Sequence, residues 1–129
     1  MSWLAKRSQE NLRAAEKLLG FQFHNSAANR LWYCLYHACW HAMEVDQKLP
    51  AHYQPNRPDR WKHETFTGAV MKNISRVQKL GWAQHRIHRL LQQVRAMRVD
   101  ADSKNVVVPA EKLRDRYSEV QKFVQGVTS

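Results

Sequence analysis

The stretch that decides the fold occupies residues 30–41 and reads Arg-Leu-Trp-Tyr-Cys-Leu-Tyr-His-Ala-Cys-Trp-His. At about 100° per residue, these side chains make a helix that is apolar on almost every side, which is typical of a helix at the centre of a bundle. One narrow line differs, because it carries four ionisable residues within about 60° of one another on the helical wheel: Arg30, His37, His41 and Glu44. The pattern predicts a central helix over residues 25–46 and places the candidate chemical centre on that line.

Apolar residues at helical spacing continue on both sides of this helix. They predict a first helix from Ser2 or Trp3 to Leu19, stopped by Gly20, and further helices over 64–77 and 82–98, separated by Gly81. Pro109 is predicted to be the first residue of a final helix, because its missing N–H costs nothing there. The proline-containing segment 47–62 and the segment 100–108 are predicted loops. With no strand alternation or repeat, the sequence predicts an all-α fold, an antiparallel bundle of four to five helices forming a single domain over residues 1–129.

Composition narrows the class of protein. The chain has 129 residues, enough for one cooperative core. Its apolar runs are shorter than the roughly 20 residues of a membrane span, and its first residues carry charges where a signal peptide needs its apolar region. We therefore expect a cytoplasmic protein with no membrane partner. Cys34 and Cys39 should point about 140° apart on one helix, which predicts reduced core cysteines rather than a disulfide.

The charge of the chain is strongly positive and unevenly distributed. The formal net charge is +10, and no acidic residue occurs from Thr65 to Val99. This basic block contains Lys72, Arg76, Lys79, Arg86, Arg89, Arg95 and Arg98. The block predicts an anionic partner, with nucleic acid first, an acidic protein second and a membrane surface third. The first five of these cations are the predicted nucleic-acid contacts, and the alternative is a basic surface without a ligand.

Arg98 falls in the apolar stripe of the fourth predicted helix. A buried charge there requires a partner, and Asp102, one turn further on, and the ionisable line of the central helix are the candidates. The alternative is an arginine at a frayed helix end whose head group reaches water.

Four segments, taken in order, resemble the HEPN family (higher eukaryotes and prokaryotes nucleotide-binding). The central segment 29–38 is similar to the family's N-R-x-[YW]-Y-x-x-[FY]-H-A, and 97–103 resembles [LM]-R-x-x-A-D-Y. The helix around 14–19 and His63 after the loop also agree. The resemblance implies a dimeric bundle of four or five helices. Many members are metal-independent endoribonucleases with an Arg-x(4–6)-His motif, acting in toxin–antitoxin or defence systems, and others are inactive partners of a nucleotidyltransferase.

The chain differs from this pattern at two points. Ser103 stands where the family usually has tyrosine, and no Arg-x(4–6)-His occurs near the start of the fourth or fifth predicted helix. The spacing does occur at Arg30 and His37 and again at Arg57 and His63. Metal-free RNA cleavage needs a group that moves a proton near neutrality and a cation for the phosphorane, which histidine and arginine supply.

We therefore expect an endoribonuclease with Arg30 and His37 as catalytic residues. The expected supporting residues are His41, Glu44, Arg98 and Asp102, and the second candidate pair is Arg57 and His63. One alternative is a non-catalytic module that binds a nucleotidyltransferase, a nucleotide or nucleic acid through the basic surface of the third and fourth predicted helices, and another is a helical assembly protein. In both of them, Arg30 and His37 are structural.

A metal site is a weaker interpretation of the same helix. Cys34, His37 and His41 share one face, and His-x3-His is a familiar zinc arrangement, but the sequence offers no fourth ligand. We expect no metal or cofactor. The aromatic residues of the central helix are expected in the core or in a dimer contact rather than stacked on bases.

Overall fold

The chain folds into a helical bundle, shown here by a computed structural model that describes residues 3–45, 63–72, 81–103 and 107–128. These ranges hold five helices and no strand: α1 (Trp3–Gly20), α2 (His24–Val45), α3 (His63–Lys72), α4 (Gln84–Ser103) and α5 (Ala110–Thr128). The predicted all-α bundle is confirmed. The predicted loop over 47–62 lies outside the described residues, as do positions 73–77 of the predicted third helix.

Helix α2 is the centre of the bundle. It contacts each of the other four helices, and its contact with α1 is the most extensive. Leu31, Leu35 and Ala38 are fully buried, and Trp40 is 2% exposed. Since burying one large apolar side chain contributes about 1.5–3 kcal/mol, this helix is the main source of the hydrophobic stabilisation.

Both cysteines belong to this core. Cys34 and Cys39 are buried and unbridged, as the sequence predicted. Burial raises the pKa of the Cys34 thiol to about 12 and raises the pKa of Cys39 as well. Both thiols therefore stay protonated and act as small apolar side chains.

Helix α1 ends at Gly20, within one residue of the predicted end, but the left-handed residue of the following turn is not a glycine. Gly20 is the last residue of α1, and the left-handed position falls on Gln22, with φ 64°. The N–H of Phe23 donates to the carbonyl of Leu18 at 2.8 Å, and that of Gln22 donates to Leu19 at 3.0 Å. These bonds form a Schellman motif with glutamine at the position that usually holds glycine.

Helix α4 is longer than the prediction of residues 82–98. It begins at Gln84 and continues to Ser103, so the predicted loop from Asp100 was wrong for its first four residues. Arg98 and Asp102, four residues apart, form an ion pair at 3.4 Å inside this extension, and such pairs support a helix. The Asn29 amide of α2 also donates to Asp102 at 3.3 Å, which fixes the last turn against the central helix.

The starts of α4 and α5 lie closer to the positions predicted from the sequence. Gly81 has φ 88° before α4, a conformation that favours glycine. The carbonyl of Pro109 accepts the Leu113 N–H at 3.1 Å, so the final helix starts one residue later than predicted. None of the described helices is long and apolar enough to cross a bilayer.

Replacing Gln22 by glycine should stabilise the protein. A left-handed backbone costs a residue with a Cβ about 1–2 kcal/mol, and glycine avoids this cost. The greater conformational entropy of glycine in the unfolded chain offsets part of the gain. We expect Gln22→Gly to raise the free energy of unfolding by about 0.5–1 kcal/mol, measured by urea denaturation. Gln22→Ala retains the Cβ and is the matched control with little change. Equal stability of the two variants would contradict the assignment of strain to this position.

Candidate functional site on the central helix

One strip of α2 is left uncovered by the bundle. We call Asn29, Arg30, Tyr33, His37 and His41 the α2 strip. Arg30 is exposed and the other four are half-buried, whereas most of the neighbouring α2 residues are buried. Helix α1 borders the strip through contacts to Arg30 and His37, and α4 borders it through contacts to Asn29 and Tyr33. Three residues of the predicted ionisable line, Arg30, His37 and His41, therefore keep surface exposure, and α1 and α4 form a furrow around this strip.

Asn11 of α1 connects Arg30 to His37. Its side-chain oxygen accepts a hydrogen bond from Nη1 of Arg30 at 3.4 Å, and its nitrogen lies 3.5 Å from Nδ1 of His37. Asn11 is 9% exposed, so its amide is held within the α1–α2 interface. The structure thus joins the two predicted catalytic residues in one hydrogen-bonded network, in which Asn11 lies between them.

The amide orientation fixes the form of the histidine ring. Arg30 has only donors, so it must face the Asn11 oxygen, and the Asn11 nitrogen also donates to the carbonyl of Arg7 at 3.0 Å. The nitrogen is therefore the atom that faces His37, and it requires Nδ1 of His37 to accept. In the tautomer that satisfies this contact, Nδ1 accepts and Nε2 carries the proton.

The ring of His37 is neutral at physiological pH. Burial, as the largest cause, and the positive charge of Arg7 lower its pKa to about 4, while the backbone carbonyl of Tyr33 acts in the opposite direction. An anion placed beside the ring would reverse the charge effect and raise the pKa. His37 is therefore able to respond to a bound phosphate.

Aromatic rings hold His37 in place. The ring centroids of Trp3, Tyr33 and Tyr36 lie 6.1, 6.3 and 5.3 Å from that of His37. Trp3 is 49% exposed and also packs edge-on against Trp40 at 5.3 Å. A ring held on several sides keeps its orientation when a ligand binds, which favours a directional contact from Nε2.

On the α4 side, Arg98 is paired rather than free. Its Nε lies 3.4 Å from Asp102, its Nη2 donates to the Tyr33 hydroxyl at 3.3 Å, and its Cζ sits 5.2 Å from the Tyr33 ring centroid. The Nε is shielded from solvent and has no aligned hydrogen bond, so its contact with Asp102 is an ion pair of imperfect geometry. The sequence predicted a partner for Arg98, and Asp102 fills that role. Arg98 therefore positions Tyr33, and Arg30 is the exposed cation of the strip.

A groove of about 460 Å³ opens at the Arg30 end of the strip. Its walls come from α1, α2 and α4: Leu18, Asn25, Ser26, Asn29, Arg30, Ala101 and Asp102. The amides and the hydroxyl offer hydrogen bonds, and Arg30 supplies the positive charge. The groove has the size and polarity for part of a polar ligand whose charged group contacts Arg30.

Several predicted residues are not brought to this site. Arg86 and Arg89 line a separate cavity between α4 and α5. Glu44, His63 and Lys72 belong to α2 or α3, but their side chains lie outside the described residues. The same holds for the whole of Arg57, Arg76 and Lys79. His41 follows His37 by one turn of α2 and is half-buried.

The metal interpretation is not supported by the position of Cys34. Its sulfur lies 3.6 Å from the Ser8 hydroxyl in the core, and its raised pKa disfavours the thiolate that a zinc ion needs. Within 3–45, 63–72, 81–103 and 107–128, no three His, Cys, Asp or Glu residues are grouped so that they could hold a metal ion.

Sequence reasoning missed Asn11, Arg7 and Tyr33. A signal for Asn11 was present, because Leu4, Ser8, Asn11 and Ala15 recur at helical spacing on the apolar face of α1. Two polar residues on such a face indicate buried hydrogen bonds. Ser8 donates to the Cys34 carbonyl at 2.7 Å, and Asn11 is the second polar contact of this face.

In comparisons with known proteins, no family model, no curated protein and no solved structure matches the chain.

An isosteric charge at position 11 should change the titration of His37. Asn11→Asp places a carboxylate beside Nδ1, which favours the imidazolium and raises the pKa of His37 from about 4. The pKa is measured from ring resonances in an NMR titration. Asn25→Asp is the matched control, because Asn25 accepts the Val108 N–H at 3.0 Å and makes no contact with His37. A His37 pKa that is equal in the two variants would contradict the Asn11 contact.

Proposed function

We propose that the protein is a HEPN-like protein that acts on RNA through the α2 strip. The observation that carries the proposal is the buried Asn11 amide, which links Arg30 and His37 at an exposed furrow. Contacts between the two segments with the fullest HEPN resemblance also support it. Asn29 bonds Asp102, and Arg98 bonds Tyr33, so residues about 70 positions apart in these two segments meet at this strip.

The first candidate activity is metal-independent cleavage of the RNA backbone. The 2′ oxygen attacks phosphorus as its proton passes to a water molecule. His37, in its imidazolium form, donates the Nε2 proton to the departing 5′ oxygen, leaving a 2′,3′-cyclic phosphate and a 5′ hydroxyl, and it is reprotonated from solvent. Arg30 stabilises the negative charge of the phosphorane. The phosphate supplies the anion that raises the pKa of His37 toward the working pH.

The second candidate is a non-catalytic binding module, and the state of His37 favours it. The His37 ring is neutral at physiological pH, and its Nδ1 already contacts the side-chain amide of Asn11. This arrangement offers a cation and a neutral N–H donor, which suits phosphate binding without proton transfer. Such a module would hold RNA, a nucleotide or a nucleotidyltransferase partner at the same strip.

Dimerisation is part of the proposal. A homodimer would place two α2 strips near one RNA strand. The exposed apolar residues Trp3 (49%) and Phe23 (60%) are consistent with further burial on assembly. Analytical ultracentrifugation measures the state directly, and a monomer at all accessible concentrations would remove this part of the proposal.

Cleavage of end-labelled RNA in EDTA separates the two candidates. If the strip is catalytic, wild-type protein yields cyclic-phosphate ends, and Arg30→Ala and His37→Ala each reduce the rate by about 100-fold or more. The matched control is Arg114→Ala, which removes an exposed arginine of α5 and should retain the wild-type rate. Circular dichroism verifies that each variant is folded.

Three outcomes of these measurements distinguish a catalytic strip, a binding strip and a strip with no role in RNA binding. Cleavage that survives both substitutions in folded protein would refute the catalytic assignment. Binding of RNA without any cleavage, weakened by Arg30→Ala, would select the binding module. RNA binding that is insensitive to both substitutions would refute the α2 strip as the RNA site.

A further inference from the structure

A second charged cavity lies between the first half of α4 and the middle of α5. It has a volume of about 490 Å³ and is lined by His85, Arg86, Arg89, Gln93, Arg116 and Glu119. None of these residues belongs to the α2 strip or contacts it through a described hydrogen bond or ion pair. We call this cavity the α4–α5 pocket.

Two of its arginines are held in fixed positions. Arg116 pairs with Glu119 at 2.9 Å and also bonds the side-chain oxygen of Gln93. The Cζ of Arg86 lies 4.0 Å from the centre of the Trp82 ring, and that ring packs edge-on against Phe123 at 5.3 Å. Guanidinium groups fixed by packing lose little entropy when they bind a ligand.

The pocket holds more positive charge than its own carboxylate neutralises. Glu119 is its only acidic lining residue; it lies 2.9 Å from Arg116 and 4.0 Å from Arg86. Arg89 is exposed and forms no ion pair with any residue in the described part of the chain. The first turn of α4 also contains no acidic residue, so the positive end of the helix dipole adds to the field.

Arg86 and Arg89 remain available to a ligand. The Arg86 side chain is 45% exposed although it stacks on Trp82. Arg89 lies one turn beyond His85 and one turn before Gln93 on the same face of α4. The pocket therefore presents guanidinium forks next to an amide and an imidazole, a combination that matches phosphate oxygens.

We propose that the α4–α5 pocket is a phosphate site that binds the backbone of single-stranded RNA, apart from the α2 strip. The phosphate chemistry follows from the pocket alone, and the choice of RNA rests on the proposed function. The volume of about 490 Å³ accommodates more than one phosphate group, which suits a strand that crosses the pocket. The sequence pointed to Arg86 and Arg89, and the structure adds Arg116, from beyond the basic block, as a third cation.

The test compares neutralisation of two exposed arginines. Arg89→Ala removes the unpaired cation of the pocket, and Arg114→Ala removes one that lies about 200° around α5 from Arg116. Affinity for fluorescent single-stranded RNA is measured in EDTA at several salt concentrations, in the His37→Ala background so that the RNA stays intact. We expect Arg89→Ala to weaken binding about five- to tenfold and to reduce the salt slope by about one, with less than about twofold change for Arg114→Ala.

Two further measurements identify the ligand and separate this site from the α2 strip. The effect of Arg89→Ala should persist when Arg30→Ala is also present, so failure of the α2 strip as an RNA site leaves this proposal standing. Inorganic pyrophosphate should compete with RNA and shift the amide resonance of Gln93. Equal losses for Arg89→Ala and Arg114→Ala would overturn the pocket in favour of diffuse charge. A pyrophosphate shift at Gln93 without any effect of Arg89→Ala on RNA would overturn RNA as the ligand.

Discussion

The burial of α2 is the constraint on which the rest of the structure depends. A helix that is apolar on nearly every side must be covered on nearly every side, and the other four described helices all contact it. Its small residues, such as Ala28 and Ala38, are fully buried, which permits close approach of neighbouring helices. Among the α2 residues whose burial is described, Arg30, His37 and His41 stay partly or fully exposed, on a line where burial of ionisable groups would be costly.

The position of that line explains the chemistry of the site. The ring of His37 is partly removed from water but is still reachable, and it lies near cations rather than near a carboxylate. Desolvation and positive charge therefore act together to lower its pKa. On the other side of α2, the carboxylate of Asp102 forms an ion pair with Arg98 and accepts a hydrogen bond from Asn29. The two flanks of α2 thus differ electrostatically: Asp102 pairs with Arg98 on the α4 side, whereas the charge of Arg7 acts on His37 on the α1 side.

The two basic regions differ in the way their charge is held. In the α2 strip, Arg30 makes one long hydrogen bond at 3.4 Å and is otherwise exposed. In the α4–α5 pocket, Arg86 and Arg116 are braced by aromatic packing and by Glu119. Braced cations suit a phosphate that only has to be held, whereas a ligand at the α2 strip would have to order the Arg30 side chain as it binds.

The sequence by itself determined the helical class, the central position of α2 and the glycine at the start of the α4 segment, and it named Asp102 as one candidate partner of Arg98. These features depend on the helical period and on residues within one turn of each other, both of which can be read along the chain. Only the tertiary structure decided that Asn11 joins Arg30 to His37 and that Arg116 faces Arg86 and Arg89. Those contacts connect positions on different helices, and they depend on how each helix is rotated and displaced against its neighbour. The longer α4 has the same origin, because Asp102 of its last turn contacts Asn29 of α2.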